Sequence, residues 1–312
     1  MSKRALVARC PAKVNLGLRV LGRRPDGLHE LETVFQAVNL WDRLEVRPAK
    51  KITLSCDDPT LPVDDTNLVI RAARLFQEHV GIEGGGATFQ LSKKIPVGGG
   101  LGGGSSDAAG AILLLSQLGG SRTSGKALSE MARVLGADVP FFLCGGTALG
   151  RGRGDRIHPM AYAGDLSLLL GCPPFGLSTA EIYQRFDRGS AARASPGELR
   201  LTLPENDVSV TGLSALKLPG GNDFGVAVND LEGVVFQGWP GLRAFRDALL
   251  EAGARRALLS GSGSTVFGIF KEPGHMNRAA SVLEGKFPEW TLRPCRTIRG
   301  AVHIAGEAGG AR

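Results

Sequence analysis

The stretch from Gly98 to Ser106, GGGLGGGSS, constrains this chain more than any other part of it. Six of the seven residues from Gly98 to Gly104 are glycine. Glycine brings no side chain to a core and loses more backbone entropy on folding than any other residue, so this density marks backbone that must approach something closely. KKIPV precedes the loop, and an apolar run of helical length, Ala108 to Leu118, follows it. A helix N-terminus exposes unpaired N–H groups and carries about half a positive charge; a glycine loop leading into it adds further donors. Ser105, Ser106 and Asp107 are good capping residues, and the hydroxyls also suit phosphate or a metal. The expected structure is a triphosphate cradle, because a flexible Gly/Ser linker would not sit between ordered apolar segments.

Two common phosphate loops fit poorly. Gly98, Gly100 and Gly103 spell GxGxxG, but a dinucleotide site needs an acidic residue about twenty positions on. There the chain reads GGSRTSGK, and the next acid after Asp107 is Glu130, within an expected helix. A Walker A loop needs Gly-Lys-Ser/Thr directly after its glycines, and no lysine follows these.

Around the loop, strands are expected at Ala5–Val7 and Val14–Val20, the second with Val14, Leu16, Leu18 and Val20 on one face. Asp42–Pro48 and Ile52–Cys56 read as a hairpin, and Thr66 as the cap of a helix over Asn67–Val80. Further helices are expected at Ala127–Leu135, from Thr179, at Asn229–Phe236, Pro240–Gly253 and His275–Phe287, with strands at Leu166–Gly171, on either side of a glycine turn within Ala257–Phe270, and at Thr291–Arg296. Residues 188–206 are rich in Gly, Ala, Ser and Pro, residues 208–222 read as an irregular loop, and the tail AGEAGGAR as disordered.

A chain of 312 residues allows two ordinary domains or one large one. No run is long and apolar enough to span a bilayer, and the basic start lacks the apolar core of a secretory signal. Five scattered cysteines without a CxxC pair argue against a disulfide framework or a zinc site, which makes a reducing cytoplasm the expected location. The net charge of +7 suits an anionic substrate, and equally RNA. A nucleic-acid-binding module is the competing class, but aromatic residues make up only 6% and lie mostly in apolar runs, unlike a stacking surface for single strands.

Pro96 to Ala109, PVGGGLGGGSSDAA, resembles the second motif of the GHMP kinases. PAKVNLGL from Pro11 resembles the first motif of one branch, and Leu258–Phe270, with its Gly261-Ser262-Gly263-Ser264 core, resembles the third. PAKVNLGLRVLGRRPDGLHELETVFQ, GADVPFFLCGGTALGRGRGD and STAEIY are similar to the branch that phosphorylates a cytidine-diphosphate-bearing polyol on the non-mevalonate route to isoprenoids.

That resemblance implies an α+β fold of two domains, 1–155 and 156–312, each a mixed or antiparallel sheet backed by helices, with the active site in the cleft between them. It implies ATP and Mg²⁺, a small-molecule substrate carrying a cytidine diphosphate, neither nucleic acid nor membrane as partner, and a monomer or weak homodimer. Lys13 and Asp138 take the catalytic roles: the carboxylate meets the substrate hydroxyl, and the lysine keeps it ionised and opposes developing charge. Asn67, Leu68, Lys93, Pro96, Gly98, Gly100, Leu101, Gly102, Gly103, Gly104, Ser105 and Ser106 fall to the nucleotide, with Ser106 also the candidate for the metal. Asn15, Leu28, His29, Thr179 and Tyr183 fall to the substrate. The family usually has a tyrosine where this chain has Leu28, so an aromatic face near the cytosine is missing and His29 carries more of its recognition. Another GHMP small-molecule kinase remains the alternative within the family.

Overall fold

Residues 11–16 alternate Pro, Lys and Asn with Ala, Val and Leu, and all six are buried. They form the middle of one long strand, β1 (Leu6–Arg23), which joins the two short strands expected at Ala5–Val7 and Val14–Val20 across residues 8–13. Register shifts at Pro11/Ala12 and Asn15/Gly17 let the strand continue past its proline and its glycine, and bulges of this kind re-aim nearby side chains. The computed structural model describes residues 5–119, 123–191 and 228–305. The expected irregular loop at 208–222 and the tail after Ala305 lie outside them.

β1 pairs antiparallel with β2 (His29–Ala49) along its whole length, from Leu6 opposite Val46 to Arg23 opposite His29. β3 (Thr53–Cys56) does not close a hairpin on β2. The chain passes through α1 (Leu68–His79), capped by the Asn67 side chain on Val69 N, into β4 (Gly86–Ser92), and β3 lies parallel to β4. A crossover through a helix favours this parallel pairing, which local alternation in the sequence does not reveal.

The glycine loop then leads into α2 (Gly103–Leu118), followed by α3 (Gly125–Leu135) and the short α4 (Val139–Cys144). β5 (Thr147–Gly152) pairs with the first half of β2, while β4 takes the second half, and β6 (Arg156–Pro159) pairs with β5. The second sheet is antiparallel, in the order β10 (Thr291–Arg296), β7 (Ser167–Cys172), β9 (Val266–Phe270), β8 (Arg256–Leu259). Around it stand α5 (Thr179–Ala191), α6 (Glu232–Gly238), α7 (Pro240–Glu251) and α8 (Pro273–Lys286). The short β11 (His303–Ala305) returns to the first sheet and pairs with β1.

Three apolar clusters hold this arrangement. Phe35, Phe76, Phe89 and Phe141 centre the core between the first sheet and its helices. Phe245, Leu249, Ile182 and Leu283 do the same for the second sheet. The third joins the two sheets: Val14, Leu16 and Val34 of the first meet Leu168, Phe267 and Ile269 of the second. The α+β class and the two helix-backed sheets expected from the sequence are therefore present, and Lys13 and Asn15 lie on the strand at their junction.

Candidate active site

The glycine loop is held from two sides. Lys13 N donates to Leu101 O at 2.9 Å, which ties the loop to β1. Ser260 Oγ donates to Gly100 O at 3.0 Å and Thr265 N to Gly99 O at 3.1 Å, so the turn between β8 and β9 backs the loop from the other sheet. At Gly100 the fit leaves no room for a side chain: φ is +72°, and an added Cβ would stand 2.2 Å from Ser260 O. The expected cap is corrected here. Ser105 and Ser106 lie inside the first turn of α2 and Asp107 just after it, and Gly102, in the left-handed region with no side-chain cap, stands at the N-cap.

A cavity of about 370 Å³ opens against this loop. Its walls include Asn67, Leu68, Lys93, Pro96, Gly98, residues 100–105 and Asp138. Every nucleotide residue expected from the sequence lines it except Ser106, whose hydroxyl is buried beneath and has no hydrogen-bond partner among the described residues.

Lys93 is committed elsewhere than a surface cation would be. Its buried ammonium donates to Asp42 and, at 2.8 Å, to Asp107. Asp42 also accepts from Lys94 N at 2.6 Å and Ile95 N at 2.9 Å. Burial opposes the ammonium's charge, but Asp107 and Asp42 outweigh it and hold the group above its ordinary value. Burial, with Asp42 adding, pushes the Asp107 carboxyl up to about 7 against the pull of Lys93. The three groups fasten the segment before the loop to the helix after it. Asp42 was not anticipated, and Asp107 only as a capping residue, since 51 and 14 residues separate them from Lys93.

A second, smaller cavity of about 150 Å³ lies beyond Asp138, with Lys13, Asn15, Thr179 and Tyr183 in its walls. Gly100 and Asp138 border both cavities. Asp138 occupies the N-cap position of α4, yet its side chain does not cap the helix. It faces Lys13 instead, with Nζ and Oδ2 3.3 Å apart. Lys13 also donates to Asn15 Oδ1 at 2.7 Å, Asn15 Nδ2 to Thr33 Oγ1 at 2.8 Å, and Thr33 Oγ1 to Gly17 O at 2.8 Å. This chain of donors leaves the buried ammonium one place to stand. The Phe35 ring, 5.4 Å from Nζ, adds an aromatic face.

The remaining substrate residues gather at the outer side. Thr179 Oγ1 and Ser262 Oγ are 2.9 Å apart, joining α5 to the β8–β9 turn. Asn229, which the sequence showed only as the start of a helical segment, donates to Leu259 O and Gly261 O at 2.9 and 2.7 Å and fixes that turn. His29 does not line the cavity, but its ring stacks on Tyr183 at 4.7 Å and its Nε2 is 2.7 Å from Asp187 Oδ1. Burial, with the nearby charges of Asp138 and Asp230, pushes the Tyr183 phenol above its ordinary value. Leu28, 46% exposed, adds no ring to this group. Among the described residues no cluster of three or more His, Cys, Asp or Glu could hold a metal ion, and no helix is long and apolar enough to cross a membrane.

Comparison with known proteins gives a consistent result. Residues 67–146 match the model of the GHMP kinases N terminal domain, and residues 215–289 that of the GHMP kinases C terminal. A protein of Pelotomaculum thermopropionicum named 4-diphosphocytidyl-2-C-methyl-D-erythritol kinase is 42% identical over 85% of this chain and 88% of its own. One of the same name from Solibacter usitatus is 41% identical over 88% of this chain and 84% of its own. A crystal structure of 4-(cytidine 5'-diphospho)-2C-methyl-D-erythritol kinase, 36% identical, superposes with a TM-score of 0.74 over 94% of this chain and 99% of that one. Homoserine kinase from Cytophaga hutchinsonii shares the fold, with a TM-score of 0.70 at 21% identity over 98% of each chain.

Proposed function

This chain belongs to the GHMP kinase family, in the branch whose members are named 4-diphosphocytidyl-2-C-methyl-D-erythritol kinase, and on that premise we propose how its residues phosphorylate that alcohol with ATP. The acceptor is the 2-hydroxyl of 4-diphosphocytidyl-2-C-methyl-D-erythritol, and the reaction is a step toward isoprenoid precursors by the non-mevalonate route. The observation that carries the reading is the Lys13–Asp138 pair, standing where the glycine-loop cavity and the smaller cavity share a wall. Phosphoryl transfer needs little covalent help from a protein; it needs donor and acceptor in line and charge opposed as it moves.

The nucleotide lies along the glycine loop, its phosphates toward the backbone N–H groups at the start of α2, and its base near Asn67 and Leu68. The alcohol lies in the smaller cavity with its hydroxyl toward Asp138, which orients it and takes its proton. Lys13, held by Asn15, keeps that carboxylate charged and faces the phosphoryl group in transit. Lys93 serves the nucleotide indirectly, by fastening both ends of the loop. Thr179 and Tyr183 close the alcohol's side, and His29 with Tyr183 receives the cytosine.

The residues present fit a divalent ion brought in by the nucleotide and held mainly by phosphate and water, as magnesium commonly is. The unpartnered Ser106 hydroxyl beneath the loop is the chain's own oxygen for that ion or for a phosphate. Bound there, magnesium would neutralise phosphate charge. We read the protein as a cytoplasmic monomer or weak homodimer, divided near residue 155 into a unit bearing the glycine loop and a unit bearing the Gly261–Ser264 turn.

The test is ATP turnover against a panel of alcohols. Turnover with the diphosphocytidyl alcohol alone is expected. Turnover of homoserine or mevalonate in its place would assign the chain to another activity of the family.

A further inference from the structure

The residues from Pro173 to Ser178 connect β7 to α5 and touch the nucleotide side and the acceptor side of the site in turn. Leu177 N donates to Gly98 O at 3.3 Å, and Gly98 lines the nucleotide cavity. Directly after the connection, Thr179 lines the smaller cavity and meets Ser262 of the β8–β9 turn.

Gly176 stands between those anchors. Its φ lies outside the left-handed region, so backbone conformation does not call for glycine there. Space does. An added Cβ would stand 3.2 Å from Gly98 Cα, 3.3 Å from Gly98 O and 3.5 Å from Gly98 C. The contact is mutual, since a Cβ on Gly98 would stand 3.2 Å from Gly176 Cα. Two bare backbones meet, and neither offers a flexible side-chain end that could turn aside.

Both partners hang on the same β8–β9 turn. The glycine loop does so through Ser260 Oγ to Gly100 O at 3.0 Å and Thr265 N to Gly99 O at 3.1 Å. The connection does so through Ser264 Oγ, which donates to Phe175 O at 2.6 Å, and through the Thr179–Ser262 pair at its end. The Gly98–Gly176 contact closes this frame. The separation between the head of the loop and the start of α5 is thus set by close-packed backbone, which transmits any added volume as displacement. In-line transfer is sensitive to such displacement: a misplacement of about 1 Å can cost about a hundredfold in rate.

We propose that Gly176 is a positioning residue for phosphoryl transfer, its contact with Gly98 setting how far the nucleotide loop stands from the α5 wall of the acceptor cavity. The inference rests on the reading of the two cavities given above. Gly176 lines neither of them, so its effect falls on the rate of transfer and not on the binding of either substrate.

The full chain bearing Gly176→Ala or Gly176→Val is assayed for kcat and for the dissociation constants of a non-hydrolysable ATP analogue and of CDP. Gly189→Ala in α5, where an added Cβ meets nothing within 4 Å, is the control. Forcing the contact open by roughly a few tenths of an ångström should lower kcat about five- to thirtyfold in Gly176→Ala and further in Gly176→Val. Both dissociation constants should stay within about twofold of the wild type, and Gly189→Ala should keep the wild-type kcat. Gly176→Ala alone decides where Gly176→Val does not fold. An unchanged kcat in Gly176→Ala, or affinities that fall as steeply as kcat, overturns the proposal while leaving the substrate reading intact. A Gly176→Ala chain that binds neither ligand also overturns it, because the glycine would then serve folding. Absence of wild-type turnover overturns the substrate reading, and the inference with it.

Discussion

Asp138 and Lys13 meet at 3.3 Å across the gap between α4 and β1, although the carboxylate stands at the N-cap of its own helix. A short polar side chain at an N-cap ordinarily turns back to the helix N–H groups. Here it is drawn instead to a buried ammonium that Asn15 holds in place. Asp138→Asn keeps the shape and removes the base. It should leave nucleotide binding nearly unchanged and lower kcat by about 10²- to 10⁴-fold, measured by single-turnover phosphorylation alongside a nucleotide titration. Turnover like that of the wild type would refute the assignment.

The glycine loop makes a prediction about stability. Gly100→Ala places a Cβ 2.2 Å from Ser260 O and 2.8 Å from Gly263 O, at a φ that side-chain-bearing residues avoid. Destabilisation by about 1–3 kcal/mol or more is expected in urea denaturation, with a rise in KM for ATP. Gly104→Ala is the control. Its nearest contact would be Leu68 Cδ1 at 3.6 Å, inside a helix, so its stability should match or exceed that of the wild type.

Asp107 predicts a pH dependence. Its folded carboxyl titrates at about 7, pushed up by burial first and by Asp42 second, whereas an unfolded aspartate titrates near about 4. Between those values the folded chain keeps a proton that the unfolded chain has released. Stability from this group is thus fully present at low pH, falls as pH rises through the window, and levels off above about 7. The slope cannot exceed about 1.4 kcal/mol per pH unit. Asp107→Asn should flatten it, so denaturation curves will separate the two chains increasingly from about pH 5 to about pH 7 and by a constant amount above that. Parallel curves would show that the carboxylate is ionised throughout.

Tyr183 and Leu28 predict how the base is held. Tyr183→Leu removes the ring that stacks on His29, and an aromatic pair is worth about 0.5–1.5 kcal/mol beyond its area. KM for the diphosphocytidyl alcohol should rise roughly two- to tenfold, with KM for ATP unmoved. Leu28→Tyr supplies a ring at an exposed position and should lower the same KM. A KM that follows neither change would place the cytosine elsewhere.

The parts of this site that were legible in the sequence are those whose chemistry is local. The glycine run and the helix starting at Thr179 each follow from neighbouring residues, whereas Lys13 and Asn15 were marked by the resemblance, Lys13 standing just before the expected strand. Lys93 was legible only as a cation near the loop; that it is buried between Asp42 and Asp107 depends on acids brought from β2 and α2. The pairing of β3 failed for the same reason. Ile52–Cys56 is close to β2 in sequence, but the crossover through α1 gives it β4 as a partner. The capping error at Ser105 and Ser106 is of another kind: side-chain preference pointed to them, while the close approach of Gly102 to Phe142 and Lys13 moved the helix start upstream.

The strand that carries Lys13 obtains its outer neighbour from the far end of the chain, with Val7 opposite Ala305 and Arg9 opposite His303. During synthesis Lys13 and Asp138 emerge early, but this edge of β1 stays open until residues 303–305 have cleared the ribosome. An open edge is a template for a neighbouring nascent chain. Translation that stops after β10 would release a polypeptide holding nearly all the chemistry and one sticky border. Closing that edge therefore depends on the final described strand and not on the elements that carry the catalytic groups.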